Sequence, residues 1–252
     1  MYKKLTILII LIINAVNLFA AEAENLLQQA NQLYSKGEYA QAAEIYENIL
    51  KTNEIAPELY YNLGNAYFKQ NEIAKSILNY ERALRLAPNY ADARHNLTFA
   101  QQKLIDKIPD SSSFFLARWT EIVVNLFNSN TWLYASFGAF LFMLICIFFF
   151  IFGGKQLLRK SAFYIAFFSL LFSVVMLIFA GIEKKNMLNR NSAIVMNGAV
   201  TAKSSPDQSG TDLFVLHEGT KIVVVSTLNS WVEIRLTNGN VGWVEEWTIE
   251  KI

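Results

Sequence analysis

The sequence predicts a multidomain membrane protein: an α-helical solenoid, a transmembrane helical hairpin, and a small all-β barrel. Three observations predict it. A 34-residue period runs through residues 23–90, two 22-residue runs without a charge occupy 131–152 and 161–182, and apolar alternation of period two takes over after residue 190. The apolar fraction of 53% and mean hydropathy of +0.25 are therefore carried by the two uncharged runs, and the aqueous parts are small.

At the N-terminus Lys3 and Lys4 precede an apolar run over residues 5–16, followed by the small residues Ala20, Ala21 and Ala23. A charged start, a short apolar stretch and a small-residue exit form a secretory signal, assigned to residues 1–20. Cleavage falls after Ala20, or after Ala23. Left uncleaved, the segment becomes an anchor and the region behind it is still exported.

Residues 23–56 align without a gap on 57–90, pairing Ala30 with Gly64, Tyr46 with Tyr80 and Leu50 with Leu84. Small residues at Ala30 and Gly64 let antiparallel helices approach, and Tyr46 and Tyr80 fill the space between. Gly37 and Asn71 occupy equivalent turns, since Asn tolerates positive φ better than most residues, and Pro57 is placed to open a helix. The second copy reads Tyr60-x-x-Leu63-Gly64-x-x-Tyr67, then Ser76-x-x-x-Tyr80, Ala83 and Pro88. It resembles the tetratricopeptide (TPR) pattern, with Ser76 replacing the usual alanine. A third helix, from Ala91 to about Lys107 with Leu97, Ala100 and Leu104 on one face, reads as a solvating cap, completing a TPR domain over 23–108.

The resemblance implies a concave groove for docking proteins, lined by Leu27, Asn31, Tyr34, Tyr61, Asn65, Phe68, His95 and Phe99, although these aromatics equally suit packing between helices. The variant that clamps a C-terminal carboxylate does not fit: its five places hold Leu27, Asn31, Asn62, Asp92 and Asn96, and Asp92 repels an anion.

Residues 109–130 read as a linker and an amphipathic helix. Phe115, Trp119, Ile122 and Leu126 recur at helical spacing, which fits a helix on a membrane surface or one packed against the repeats.

Each uncharged run spans about 33 Å as a helix, against about 30 Å of bilayer hydrocarbon. The alternative, a hairpin buried in a large soluble protein, rarely needs two uncharged runs of that length. Residues 153–160 join the spans in a turn carrying Lys155, Arg159 and Lys160, which the positive-inside tendency puts in the cytoplasm. Both flanking regions are then exported, in agreement with the signal. Arg118, Lys184, Lys185 and Arg190 lie on the other side and narrow the charge bias. Cys146, within the first span, is the only cysteine, which excludes intrachain disulfides and cysteine metal clusters.

After residue 190 strands are predicted over 192–199, 213–216, 221–227, 231–236, 241–246 and 248–252, with Asn238-Gly239 a type I′ hairpin signal. Leu216-His217-Glu218-Gly219-Thr220, Ser230-Trp231-Val232-Glu233-Ile234 and Gly239-x-Val241-Gly242-Trp243-Val244 resemble the bacterial SH3 (SH3b) domain, over 190–252. The proline-peptide groove of eukaryotic SH3 domains is not matched, so PxxP binding is not expected. The resemblance implies a contact with peptidoglycan or a protein. Trp231 and Trp243 are surface candidates, or half-buried core.

Residues 21–110 carry twelve acids and nine bases, and 183–252 eight acids and seven bases. Net charges of about −3 and −1 argue against a nucleic-acid partner. His95 and His217 stand apart from any readable nucleophile or metal-ligand spacing, so no catalytic residue, metal or cofactor is expected. The whole order of modules resembles the BatE type of protein from the Bat, or aerotolerance-related, operons. That implies a two-pass inner-membrane scaffold, TPR and SH3b domains in the periplasm, working with von Willebrand factor A type Bat proteins and a MoxR-type ATPase in stress or oxygen tolerance. The alternative is a cell-wall-associated factor whose SH3b domain contacts peptidoglycan.

Overall fold

The computed structural model describes residues 24–52, 55–108, 115–188 and 191–252. The expected signal segment, 1–20, and the linker residues 109–114 lie outside the described residues. The chain forms two compact units. One joins the helical repeats to the C-terminal sheet, although the hairpin separates them in sequence. The other contains the hairpin and the helix before it.

In the first unit α1 (residues 24–35), α2 (Tyr39–Lys51), α3 (Pro57–Lys69), α4 (Ile73–Leu86) and α5 (Ala91–Gln101) run as successive helical hairpins. The two copies turn alike. Gly37 (φ 86°) and Asn71 (φ 63°) adopt the left-handed conformation, and the next N–H reaches back five residues, Glu38 to Leu33 at 2.9 Å and Glu72 to Tyr67 at 3.0 Å. This arrangement satisfies carbonyls that the helix end would leave bare. Pro57 opens α3, where a missing N–H costs nothing. A Cβ added to Gly64 would lie 2.7 Å from the Tyr80 ring, so α3 and α4 approach as closely as they do because that residue has no side chain.

The third helix is shorter than the periodicity suggests and is not a solvated cap. It ends at Gln101, and the chain tightens through bonds from Lys103 to Ala100 and from Leu104 to Gln101. Leu97 and Ala100 are buried in one cluster with Ile77, Leu78 and Tyr80 of α4 and with Ile194 and Ile252 of the sheet, and Leu104 packs against it. An apolar stripe at the end of a solenoid needs cover, and here a β-domain supplies it.

That domain is a seven-stranded antiparallel sheet: β1 (Ser192–Val195), β2 (Ala199–Lys203), β3 (Asp212–His217), β4 (Lys221–Leu228), β5 (Trp231–Arg235), β6 (Val241–Glu245) and β7 (Ile249–Lys251), in the order β3-β2-β6-β5-β4-β1-β7. Alternate residues such as Val200, Ala202, Val232, Ile234 and Val244 form its core. Residues 192–199, expected as one strand, divide into β1 and β2, because β1 pairs with β4 and β7 while β2 pairs with β3 and β6. The turn after β5 is not type I′. Gly239 alone has positive φ (93°), and its N–H bonds Leu236 at 3.0 Å, as in a type I turn closed by a left-handed glycine.

In the second unit α6 (Phe115–Val124) packs on α8, and α7 (Ser129–Phe152) and α8 (Gln156–Leu188) form an antiparallel pair, each long and apolar enough to cross a membrane. Asn128 caps α7 by accepting from the Thr131 N–H at 3.0 Å. The turn is shorter than the expected 153–160: residues 153–155 make it, and Arg159 N–H already bonds the Lys155 carbonyl, so Arg159 and Lys160 belong to α8. The helices meet in steps of seven residues. Ser129 faces Ala180, Ser136 faces Ser173, Met143 and Cys146 pack with Ala166, and Phe150 faces Arg159. Heptad spacing with small residues is the geometry of close antiparallel packing. Gly138 opens onto free space, and Ser169 bonds the Ala139 carbonyl at 2.8 Å.

Candidate protein-docking groove

α1, α3 and α5 supply the walls of a groove of about 350 Å³ that runs between Tyr34, Tyr61, Asn65, Phe68, His95 and Phe99. Six of the eight expected groove residues thus share one surface. Tyr80, Lys69 and Asn96 line it as well. Leu27 and Asn31 are not among the lining residues. Leu27 packs on the first-repeat core, and Asn31 is engaged from behind by the Tyr46 hydroxyl at 2.6 Å.

The same contact recurs one repeat later, where the Tyr80 hydroxyl donates to Asn65 Oδ1 at 2.7 Å. In the second copy the network continues. Asn96 Nδ2 donates to the same Asn65 oxygen at 2.8 Å and to the Tyr61 hydroxyl at 3.3 Å. A tyrosine from the inner helix thereby fixes an asparagine on the groove floor, and α5 is tied to α3. Burial pushes both Tyr46 and Tyr80 up to about 12, so each hydroxyl remains a neutral donor at physiological pH. Of the further lining residues, Tyr80 had a signal in the sequence, since it sits fifteen residues after Asn65, as Tyr46 does after Asn31.

The walls are aromatic. Phe68 and Phe99 meet edge to face at 6.5 Å, His95 stacks on Phe99 at 6.3 Å, and the Lys103 ammonium lies 4.6 Å from the Phe68 ring centre. Lys69 and His95 bring basic groups to the lining, and among the described residues no carboxylate lines it. Such a surface suits an extended polypeptide of neutral or acidic character, with the Asn65 side-chain amide N–H groups placed to hydrogen-bond it.

In the sheet, Trp231 is buried at 8% exposure, and Trp243 is half-buried opposite Glu233. Trp247, outside the residues expected on this surface, is 68% exposed beside β6, and its indole N–H donates to Glu245 at 2.5 Å. The acid flanking it marks a tryptophan that has left the core alternation. His217, far from His95 in sequence, ends β3 and is bonded to Asp106. Among the described residues no group of three metal-ligating side chains occurs.

The sheet is joined to the repeats by polar contacts around the Ile194 and Ile252 cluster. Arg82 binds Glu250 at 2.8 Å, Lys221 binds Glu81 at 2.7 Å, and Arg85 donates to the Ile252 carbonyl. The family model described as TPR repeat matches residues 30–71 and 64–104, and that described as bacterial SH3 domain matches residues 198–250. No curated protein matches the chain. The chain therefore carries TPR repeats followed by a bacterial SH3 domain. Ile194, Ile252, Asp106 and Ile108, which join the two, all lie outside the matched stretches.

Proposed function

We propose that the protein is a membrane-anchored adaptor of the cell envelope, inserted by the α7–α8 hairpin, that docks a protein segment in its TPR groove. One observation carries the docking role: six aromatic and polar side chains from three separate helices converge on one groove, with Asn65 and Asn96 held in place by Tyr80 and Tyr61. The apolar outer faces of α7 and α8 support insertion, since Phe137, Phe168 and Leu171 on those helices would otherwise face water.

In this reading the basic turn is cytoplasmic and both aqueous domains are periplasmic. The order of modules, similar to the BatE type, makes von Willebrand factor A type Bat membrane proteins the expected partners, in a complex serving stress or oxygen tolerance. The protein acts as a scaffold without catalysis of its own. Two contact surfaces on one anchored chain raise effective concentration without new chemistry.

The test is co-purification from native membranes with Tyr61→Ala/Phe68→Ala in the full chain. Loss of partner membrane proteins with the variant still folded is expected; unchanged recovery ends the docking role. A second reading, contact of the SH3 domain with peptidoglycan, is favoured by the exposed Trp247. Retention of the full chain on purified sacculi, reduced in Trp247→Ala, supports it, and equal retention of both counts against it.

A further inference from the structure

The turn end of the hairpin carries a cavity that the adaptor reading leaves unused. It measures about 550 Å³ and is walled by Phe150 from the end of α7 and by Gln156, Arg159, Lys160, Phe163 and Tyr164 from the start of α8. We infer that this cavity holds the phosphate of an anionic phospholipid headgroup, an inference that rests on the hairpin being inserted in a bilayer.

The charge pattern is the first argument. Between residues 122 and 182 the only charged side chains are Lys155, Arg159 and Lys160. None of the three forms an ion pair among the described residues. Three positive charges within six residues repel one another, more strongly where the hydrocarbon boundary lowers the dielectric. Among the described residues no carboxylate pairs with them, so the counter-charge is assigned to a bound anion.

Preorganisation is the second. Arg159 Nε donates to the Phe150 carbonyl at 3.1 Å, and the guanidinium lies over the Phe150 ring, 5.7 Å from its centre. This contact is the last rung of the heptad register, so packing of α7 on α8 fixes where the arginine sits. With Nε engaged, the two terminal amino groups remain for a forked contact with phosphate oxygens, a geometry lysine does not offer.

The third argument concerns the walls. Phe150, Phe163 and Tyr164 put aromatic surface beside the cations, with the Phe150 and Phe163 rings 5.7 Å apart. A ligand with an anionic head and an apolar body meets both surfaces, as anionic lipids do at basic pockets between membrane helices. An inorganic phosphate ion meets only the cations, and a zwitterionic lipid brings its own positive charge to them.

The experiment is native mass spectrometry of the full chain in detergent, titrated with phosphatidylglycerol and, separately, phosphatidylcholine. The wild type should retain phosphatidylglycerol roughly thirty- to 150-fold better, the effect expected of two to three interfacial cations. Arg159→Gln/Lys160→Gln should bind the two lipids equally, and Arg159→Lys, which keeps the charge but loses the fork, should fall between. Equal binding by the wild type, or discrimination that survives in the double variant, overturns the lipid site. So does displacement of phosphatidylglycerol by an equimolar amount of inorganic phosphate, which makes the occupant a free ion. Alkaline extraction of membranes separates the two readings. A chain that resists extraction without discriminating loses the lipid site and keeps the anchor, whereas an extracted chain loses both.

Discussion

Asp106 and His217 meet across 111 residues of sequence: one carboxylate oxygen accepts the His217 backbone N–H at 2.7 Å and the other lies 2.8 Å from ring Nδ1, while the Thr220 hydroxyl adds a third bond at 2.8 Å. This carboxylate comes from the segment after α5, and its partners come from the end of β3 and the turn that follows. The ion-like cluster pins the last turn of the repeats to the sheet. Substituting Asp106→Ala leaves a backbone N–H and a hydroxyl unpartnered at a half-buried site, a cost of about 1–3 kcal/mol. Faster hydrogen exchange at His217 and Thr220 in the full chain, with the groove helices unchanged, is the expected outcome. Exchange identical to wild type would show that the apolar contacts alone hold the domains.

Acidity should loosen the same contact. Burial works to raise the Asp106 pKa, but the His217 N–H, the His217 ring and the Thr220 hydroxyl together hold it below the ordinary carboxylate range. A folded pKa lower than the unfolded one adds stability that is complete above the unfolded value, near pH 4, and vanishes as pH falls through the folded value. Exchange at His217, corrected for intrinsic rates, should therefore stay level from pH 7 to about 5 and rise below pH 4. In Asp106→Asn that acid limb should disappear; its persistence would assign the transition to another carboxylate.

Gly64 tests the packing of the second repeat. A methyl group there meets the Tyr80 ring at 2.7 Å, whereas at Gly138 it meets nothing within 4 Å. Gly64→Ala should destabilise the repeats by about 1–3 kcal/mol through overpacking, read as a lower midpoint of helix loss. Gly138→Ala should leave that midpoint unchanged. Equal effects of the two would mean that the helices adjust at no cost.

Much of this was legible in the sequence because it repeats. The pairing of Ala30 with Gly64 and Tyr46 with Tyr80 marked the inter-helix contacts, and Gly37 and Asn71 marked the turns. The junction between repeats and sheet was not legible. Ile194, Ile252 and Asp106 act through contacts across more than eighty residues, and no local period records which surface an apolar stripe will find. Leu97 and Ala100 announced a buried face, yet a stripe is the same whether another helix or a β-domain covers it. The heptad register of the hairpin was present as Ser129, Ser136 and Met143, but the uniform apolarity around it masks the seam.

The repeated tyrosine–asparagine contacts separate folding from binding. Tyr46→Phe and Tyr80→Phe remove equivalent hydroxyls, and each should cost about 1 kcal/mol of stability. Their effects on partner recovery should differ. Asn65 lies in the groove and also holds Asn96, while Asn31 does not line it. Tyr80→Phe should weaken co-purification several-fold and Tyr46→Phe should not, at matched thermal stability. If both weaken it alike, the effect is one of folding and the groove assignment fails.

At the centre of the hairpin the Ser136 hydroxyl donates to the Ser173 carbonyl and the Ser173 hydroxyl donates to the Ser136 carbonyl, both at 2.9 Å. Neither bond is needed to satisfy the backbone, because each helix already pairs its own carbonyls. Their main effect is to require small side chains at the seam. Ser136→Ala or Ser173→Ala should therefore cost only about 0.6 kcal/mol, typical of hydrogen bonds between membrane helices. Ser136→Leu fills the gap between backbones that now approach closely and should cost several times more, read as easier separation of α7 from α8 in graded denaturing detergent. A leucine variant as resistant as the alanine one would show that the seam is held by the outer apolar surfaces and not by the close approach at Ser136 and Ser173.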